Sequence, residues 1–232
     1  MKPEVMKNGS STVLVALSGG VDSSVAAALL KDDGWDVRGI HFLLTADEDK
    51  KQERVEAVKK VAEHLAIPLV FADMEDEFNR KIIDPFIDSY LKGLTPSPCI
   101  MCNEIIKFDC LLKYAENDGI DYISTGHYAD TGKRDSSSVD LLRGIDAHKE
   151  QSYFLHRLSQ SHLTRALFPL ADMSKEDTRR IANEKKLPTK STPESQEICF
   201  VPDNDYRLFV ESRKNQELIE AGDIVDVSGR KL

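Results

Sequence analysis

Short apolar runs rich in β-branched residues alternate with longer stretches of helical periodicity through the first half of the chain. The first run, STVLVAL at 11 to 17, has the length and composition of a buried strand. VDSSVAAALLKDDG, 21 to 34, is rich in Ala and Leu and closes on Gly34, which predicts a helix with a glycine stop. WDVRGIHFLL, 35 to 44, predicts a second strand, and 52 to 67 a helix with Val55, Val58, Val61, Ala62 and Leu65 on one face. PLVFADM, 68 to 74, reads as a third strand; 75 to 93 reads as mostly helical, with Pro85 opening a new turn. After the loop LTPSPCIMCN, 94 to 103, a helix is expected over 105 to 119 and a fourth strand over 120 to 128.

This alternation gives an α/β fold class: a parallel sheet flanked by helices, joined by right-handed crossovers. In such sheets a ligand binds beyond the carboxyl ends of the strands, where the strand order switches. The second half is less regular. Residues 131 to 146 are polar and turn-rich and suggest a hairpin. A helix is expected over 174 to 187, with Ser174 as N-cap and Asp177 in the capping-box position. STPESQEICFV, 191 to 201, reads as a loop feeding a short strand, and 221 to 232 as the first strand and turn of a β unit.

Composition narrows the class. The 232 residues are 41% hydrophobic and 31% charged, with a net charge of -9, an ordinary globular balance. No apolar run approaches the ~20 residues that span a bilayer, and the polar start lacks a signal-peptide core. A cytoplasmic protein with no membrane partner is expected. The net charge argues against a dedicated nucleic-acid binder, yet 178 to 190 carries Arg179, Arg180, Lys185, Lys186 and Lys190 against Glu184 alone. That run reads first as a solvated helix face, and second as a local phosphate-binding face.

Two places carry candidate chemistry. ALSGGVDSS, 16 to 24, lies between the first strand and helix; Gly19 and Gly20 let backbone N–H groups approach an anion, with Ser18, Ser23 and Ser24 adding hydroxyls. It is neither a GK[ST] loop nor GxGxxG. Asp22 is out of place beside an anion unless a cation joins it, which points to Mg²⁺. The second place is the cysteines. Cys99 and Cys102 form a CxxC pair, Cys110 falls on an apolar helix face, and Cys199 lies far downstream. A closed zinc site needs about four ligands, which this distribution supports weakly; a redox pair and a sulfur-handling site stay open.

The order strand, SGGVDSS, helix, followed by STGHY at 124 to 128, resembles the ATP pyrophosphatase (PP-loop, adenine nucleotide alpha hydrolase-like) enzymes. With PSPCIMCNEIIKF, KEQSYFL and ESQEICF also present in order, the chain resembles the bacterial and organellar tRNA 2-thiouridylases from about residue 12 onward. The resemblance implies adenylation of the C2 oxygen of the wobble uridine by ATP, then replacement of that oxygen by sulfur carried on a cysteine persulfide. It implies Cys199 as the persulfide carrier and Cys102 as the second thiol, which releases the sulfur or resolves the product as a disulfide. ATP contacts would fall to Ala16, Leu17, Ser18, Gly19, Gly20, Val21, Asp22 and Ser23, with Phe42 and Gly126. Ser97, Pro98 and Cys99 would meet the target base, and Lys149, Glu150 and Gln151 the tRNA. The implied partners are tRNA and a persulfide sulfur donor protein; the implied cofactors are ATP and Mg²⁺.

Many members carry Asp where this chain has Cys99. Three thiolates, Cys99, Cys102 and Cys199, could then ligate an iron–sulfur cluster. Alternatives are another PP-loop enzyme, either an iron–sulfur-dependent tRNA thiolase or an amide-forming ligase, and a non-catalytic CxxC zinc or redox module. The expected organisation is a PP-loop catalytic domain over 1–170, a helical tRNA-binding and catalytic-cysteine segment over 171–220, and the start of a truncated β domain over 221–232.

Overall fold

The first strand, β1 (Thr12–Ala16), sits in the middle of a five-stranded parallel sheet. On one side lie β2 (Asp36–Leu43) and β3 (Leu69–Asp73). On the other lies β4 (Tyr122–Ser124). β5 (Ala129–Lys133) and β6 (Val139–Arg143) form a separate antiparallel hairpin, and β7 (Ala166–Leu167) closes the far edge of the sheet. The order β3-β2-β1-β4-β7 reverses direction between β1 and β4. A crevice is expected at that switch, and the two loops that leave it are SGGVDSS and TGHY. The computed structural model describes residues 11–45, 48–135, 138–192, 198–213 and 222–231.

Alternation along β1 divides the core. Val13 and Val15 face one side and join Val25 and Ala26 of α1 (Val21–Asp32), Val58 and Val61 of α2 (Glu48–Leu65), and Ala182. Leu14 faces the other side, with Phe108 and Leu111. Both faces of β1 are covered, so its sequence reads as a continuous apolar run.

The helical excursion between β3 and β4 differs from expectation. It runs α3 (Glu75–Phe78), a π-helical stretch Asn79–Ile83, α4 (Asp84–Leu91), α5 (Pro98–Met101), a second π-helical stretch Cys102–Phe108, and α6 (Asp109–Asn117). The CxxC pair expected in a loop is therefore helical. Pro98 sits in the first turn, where its missing N–H costs nothing. π-Helical insertions recur at functional sites, and this one begins at Cys102.

Other corrections are local. β4 ends at Ser124, and 125–128 leaves the sheet. The short strand expected at 191–201 is not seen among its described residues: 198–201 is turn-like and leads into the single turn Pro202–Asn204, while 193–197 lie outside the described residues. Over 222–231 the expected β unit is a lone bridge between Val225 and Lys231. α7 (Gln160–Leu163) and β7 carried no expectation, and α9 (Tyr206–Arg213) lies in the 171–220 segment expected to be helical. The hairpin at 129–143 and the Ser174/Asp177 capping box on α8 (Lys175–Glu184) were both legible. α8 packs on α1, with Lys175 paired to Asp22 at one end and Lys185 to Asp32 at the other. The two pairs lie ten residues apart along each helix in the same direction, so the helices run parallel and their N-termini lie side by side.

Candidate active site

The loop after β1 is built by its own hydroxyls. Ser23 Oγ accepts from the Ser18 amide at 3.1 Å and donates to the Gly20 carbonyl at 3.2 Å. Ser24 Oγ donates to the same carbonyl at 2.8 Å. All three hydroxyls are thus engaged inside the loop: Ser18 Oγ lies 3.1 Å from Ser23 Oγ and accepts from the Gly20 amide at 3.3 Å, although Ser18 is exposed at the mouth. Gly19 has φ +81°, a left-handed backbone that glycine adopts freely. The N-cap of α1, Gly20, receives no side-chain cap. Amides at the start of α1 therefore face the crevice as anion donors.

Asp22 is partnered by protein groups. Lys175 Nζ donates to both carboxylate oxygens, at 2.7 and 2.8 Å. Tyr128 OH lies 2.9 Å from Asp22 Oδ1 and 2.9 Å from Thr178 Oγ1. Burial, and then the Asp22 charge, push the Tyr128 phenol far above its usual range, so it stays a donor. A metal ion is therefore not the only cation that justifies a carboxylate here: Lys175 neutralises it. A single carboxylate plus phosphate oxygens still matches how Mg²⁺ is commonly held.

Gly126 is explained by packing. A Cβ there would lie 2.6 Å from Ser23 N and 2.7 Å from Asp22 C. The TGHY loop thus presses on the backbone at the start of α1. His127 Nδ1 is 2.8 Å from Thr125 Oγ1 and its ring lies by Phe108. Burial, with Lys107 nearby, holds its pKa well below the usual value, so it is a neutral imidazole. Phe42 lies inside β2, half-buried opposite Ala72.

The three thiols come together through a third core cluster. Cys102 is buried among Phe78, Phe86, Ile106, Val201 and Phe209, with Ile198 and Phe200 against them. Phe200 stands edge-on to Phe78 and Phe86, at 5.6 and 5.2 Å between ring centroids. The neighbours of Cys199 are therefore anchored next to Cys102, while Cys199 itself is exposed. All four cysteines are free. Burial pushes the Cys102 thiol up to about 11; Lys107 pulls it down, and Cys199 and Cys99 push it up. Cys99 is raised by burial first and Cys199 second. Among the described residues, no group of three or more His, Cys, Asp or Glu could hold a metal ion. The iron–sulfur expectation on Cys99, Cys102 and Cys199 gains no support.

This geometry makes a direct prediction. Iodoacetamide alkylation of native Cys102 is slow at pH 7 and accelerates about tenfold per pH unit toward its pKa, because the thiolate is the nucleophile. Peptide mass spectrometry across pH 7–10 measures it. A rate already at its plateau by pH 8 would show that Lys107 outweighs burial.

The other expected contacts are distributed around this centre. Ser97 is exposed and Pro98 buried, one turn before Cys102. Gln151 is clasped to Tyr128, its amide donating to the Tyr128 carbonyl at 2.9 Å and its side chain accepting from the Tyr128 amide at 3.1 Å. Lys149 and Glu150 turn back on the Asp146 carbonyl. A cleft of about 230 Å³ opens beside Cys199, between Leu44 and Thr45 beyond β2, Phe200, and the side chains of Arg54 and Arg213. The basic run is partly neutralised: Arg180 pairs with Asp177 and Glu184, and Lys185 with Asp32. Asn103 and Lys107 were missed by sequence reasoning. Asn103 Nδ2 donates to the Phe154 carbonyl at 3.2 Å, and Lys107 Nζ donates to Asn103 Oδ1 at 2.8 Å. Only their place beside Cys102 could have signalled them.

The family model described as the tRNA methyl transferase HUP domain matches residues 11–203. A tRNA-specific 2-thiouridylase MnmA of Carboxydothermus hydrogenoformans is 46% identical over 97% of this chain and 64% of its own length. Its counterpart in Geotalea uraniireducens is 44% identical over 98% of this chain and 64% of its own length. The chain thus spans about 64% of these curated relatives. A 4-thiouridine synthetase, solved as an RNA complex with bound ATP, superposes with TM-score 0.56 at 17% identity, over 82% of this chain and 45% of its own. That likeness is one of fold. No helix among the described residues is long and apolar enough to cross a membrane.

Proposed function

The chain belongs to the tRNA methyl transferase HUP-domain family, and from that premise we propose that it catalyses ATP-dependent 2-thiolation of the wobble uridine of tRNA. The observation that carries the reading is the pairing of an exposed Cys199 with a buried Cys102 through one apolar cluster, on the fold that also carries the phosphate loop. Methyl transfer would need neither the anion cradle nor two thiols.

In this reading the segment Ala16, Leu17, Ser18, Gly19, Gly20, Val21, Asp22 and Ser23 holds the ATP phosphates, and Phe42 and Gly126 border the nucleoside. Mg²⁺ bound with the nucleotide would supply charge neutralisation, with Asp22 as its protein ligand. The uridine C2 oxygen attacks the α-phosphorus, and pyrophosphate leaves. Ser97, Pro98 and Cys99 face the base, which must leave its stack to be reached. Lys149, Glu150 and Gln151 support the tRNA.

Cys199 is exposed enough to receive sulfur from a persulfide donor protein. Its terminal sulfur attacks C2; the C2–O bond breaks and AMP leaves with the oxygen. The Cys102 thiolate then attacks Cys199 Sγ. The S–S bond to the substrate breaks, 2-thiouridine is released, and a Cys102–Cys199 disulfide remains. The sulfane sulfur gains the two electrons that the thiols lose, so each turnover needs a thiol reductant. In this scheme 1–170 is the catalytic domain, 171–220 carries Cys199 and tRNA contacts, and 221–232 begins a β domain.

The test is tRNA-stimulated conversion of ATP to AMP and pyrophosphate, with 2-thiouridine assayed by nucleoside mass spectrometry in the presence of a persulfide donor. Formation of ADP, or methyl incorporation from a sulfonium donor without ATP, would refute the reading.

A further inference from the structure

The π-helical stretch Cys102–Phe108 turns toward one face two side chains that an α-helix would separate. At 3.6 residues per turn, positions five apart sit about 140° from each other around the helix axis. A π-helix bonds i to i+5 and brings such positions toward the same face. Cys102 opens the stretch, and Lys107 stands five residues on. Lys107 is half-buried and its ammonium is turned inward: Nζ donates at 2.8 Å to Oδ1 of Asn103, a buried residue. Asn103 is fixed in turn, its Nδ2 donating to the Phe154 carbonyl at 3.2 Å. The neighbouring carboxylate of Glu104 is taken by Arg157. Among the described residues, Lys107 forms no ion pair with a carboxylate.

An ammonium drawn partly out of water costs free energy unless an opposite charge answers it. The Asn103 amide is neutral. The ionisable groups on which the Lys107 charge acts are Cys102, Cys99 and His127. His127 is a neutral imidazole and supplies no anion. The wall around Cys102 is otherwise apolar, from Phe78, Phe86, Ile106, Val201 and Phe209. Cys199 and Cys99 are the other titratable groups that act on Cys102, and as anions they would repel it. A thiolate is thus the charge this lysine is placed to meet, and Cys102 is the thiol that shares its π-helical face. A phosphate of the RNA backbone is a poorer match, because the ammonium is aimed at a buried amide and not at solvent. We propose that Lys107 is a positioning residue that stabilises the Cys102 thiolate, carried to its face by the π-helical turn and held there by Asn103. This deepens the thiolation reading and rests on it. Cys102 gives its proton to solvent before it attacks Cys199 Sγ, and the electron pair of the broken S–S bond leaves with the substrate sulfur. Lys107 keeps its own proton and forms no covalent bond.

Wild type, Lys107→Met and Lys107→Arg are compared for iodoacetamide alkylation of Cys102 in the full chain, by peptide mass spectrometry from pH 7 to pH 11. Cys110, whose charged neighbours are Glu77, Lys113 and Asp109, is the internal control. In Lys107→Met the Cys102 rate at pH 8 is expected to fall roughly 10-fold, the low end of what one nearby opposite charge does to an ionisation. The gap should narrow as pH nears the wild-type pKa of about 11. Cys110 should label as before. Lys107→Arg is expected to recover most of the loss, because a guanidinium is also a cation. An unchanged Cys102 rate in Lys107→Met would overturn the proposal. So would a loss of the same size at every pH, which is a loss of access, or an equal loss in Lys107→Arg. Faster labelling of Cys102 and Cys110 together would also overturn it, since the lysine would then only hold the fold. Should Lys107→Met fail to fold, the same comparison on Lys107→Gln decides by the same outcomes. Wild type that forms no 2-thiouridine with tRNA, ATP and a persulfide donor would overturn the thiolation reading alone, because the alkylation profile reads the lysine without substrate.

Discussion

Replacing Cys199 by Ser is expected to abolish 2-thiouridine formation while ATP cleavage to AMP and pyrophosphate continues. The phosphate loop and the thiol pair stand on different parts of the fold: the loop on β1 and α1, Cys199 on the segment anchored by Phe200 against Phe78 and Phe86. A hydroxyl at 199 keeps that anchoring but cannot carry a sulfane sulfur. Cys102→Ser is expected to be equally inactive in thiolation, by a different route. With Cys199 intact, sulfur can still be loaded, so the variant should accumulate persulfide on Cys199 or a tRNA adduct that cannot be resolved. Intact-mass spectrometry separates the two variants: added sulfur on Cys102→Ser, none on Cys199→Ser. Cys99→Asp is expected to retain much of the activity. Its thiol is half-buried and lies outside the proposed exchange. Substantial thiolation by Cys199→Ser would end the persulfide reading.

The second large effect is expected at Gly126. A Cβ there meets backbone atoms of Asp22 and Ser23 at 2.6 to 2.9 Å. These belong to the first turn of a helix locked by α8, so no flexible side chain can give way. Gly126→Ala must push the TGHY loop off α1 or displace the helix N-terminus, at a cost of roughly 1–3 kcal/mol, as for other overpacked sites. For a domain of this size that lowers Tm by roughly 2–12 °C, and ATP affinity should fall with it because the donor amides move. Gly20→Ala is the contrasting variant. Its Cβ would meet only Ser18 Oγ, at 3.4 Å, an ordinary contact. Little change in Tm is expected there. Equal melting of the two alanine variants would show that the close approach at Gly126 is not under load.

How far the sequence reaches differs between the two halves of the site. The phosphate loop was legible because its elements are contiguous: an apolar β-branched run, two glycines and an Ala-rich helix in a row. The capping box on α8 was legible for the same reason, since every partner lies within three residues. The helical state of the CxxC segment was not. Pro96, Pro98 and the nearby glycine read as loop, and the helix holds because Ile106 and Phe108 are buried in two separate clusters.

The sequence by itself therefore determined the parallel α/β architecture, the phosphate loop at the strand switch and the identity of the thiols, because each is written in local periodicity or in a contiguous motif. Only the tertiary structure decided which cation meets Asp22, why position 126 must be glycine, and that Cys199 stands exposed beside a buried Cys102. Each depends on groups from 97 to 153 residues apart, brought together by packing of α8 on α1, of the TGHY loop on the first turn of α1, and of Phe200 on Phe78 and Phe86. Contacts at that separation are set by which apolar faces exclude water together, and no local pattern along the chain records the pairing.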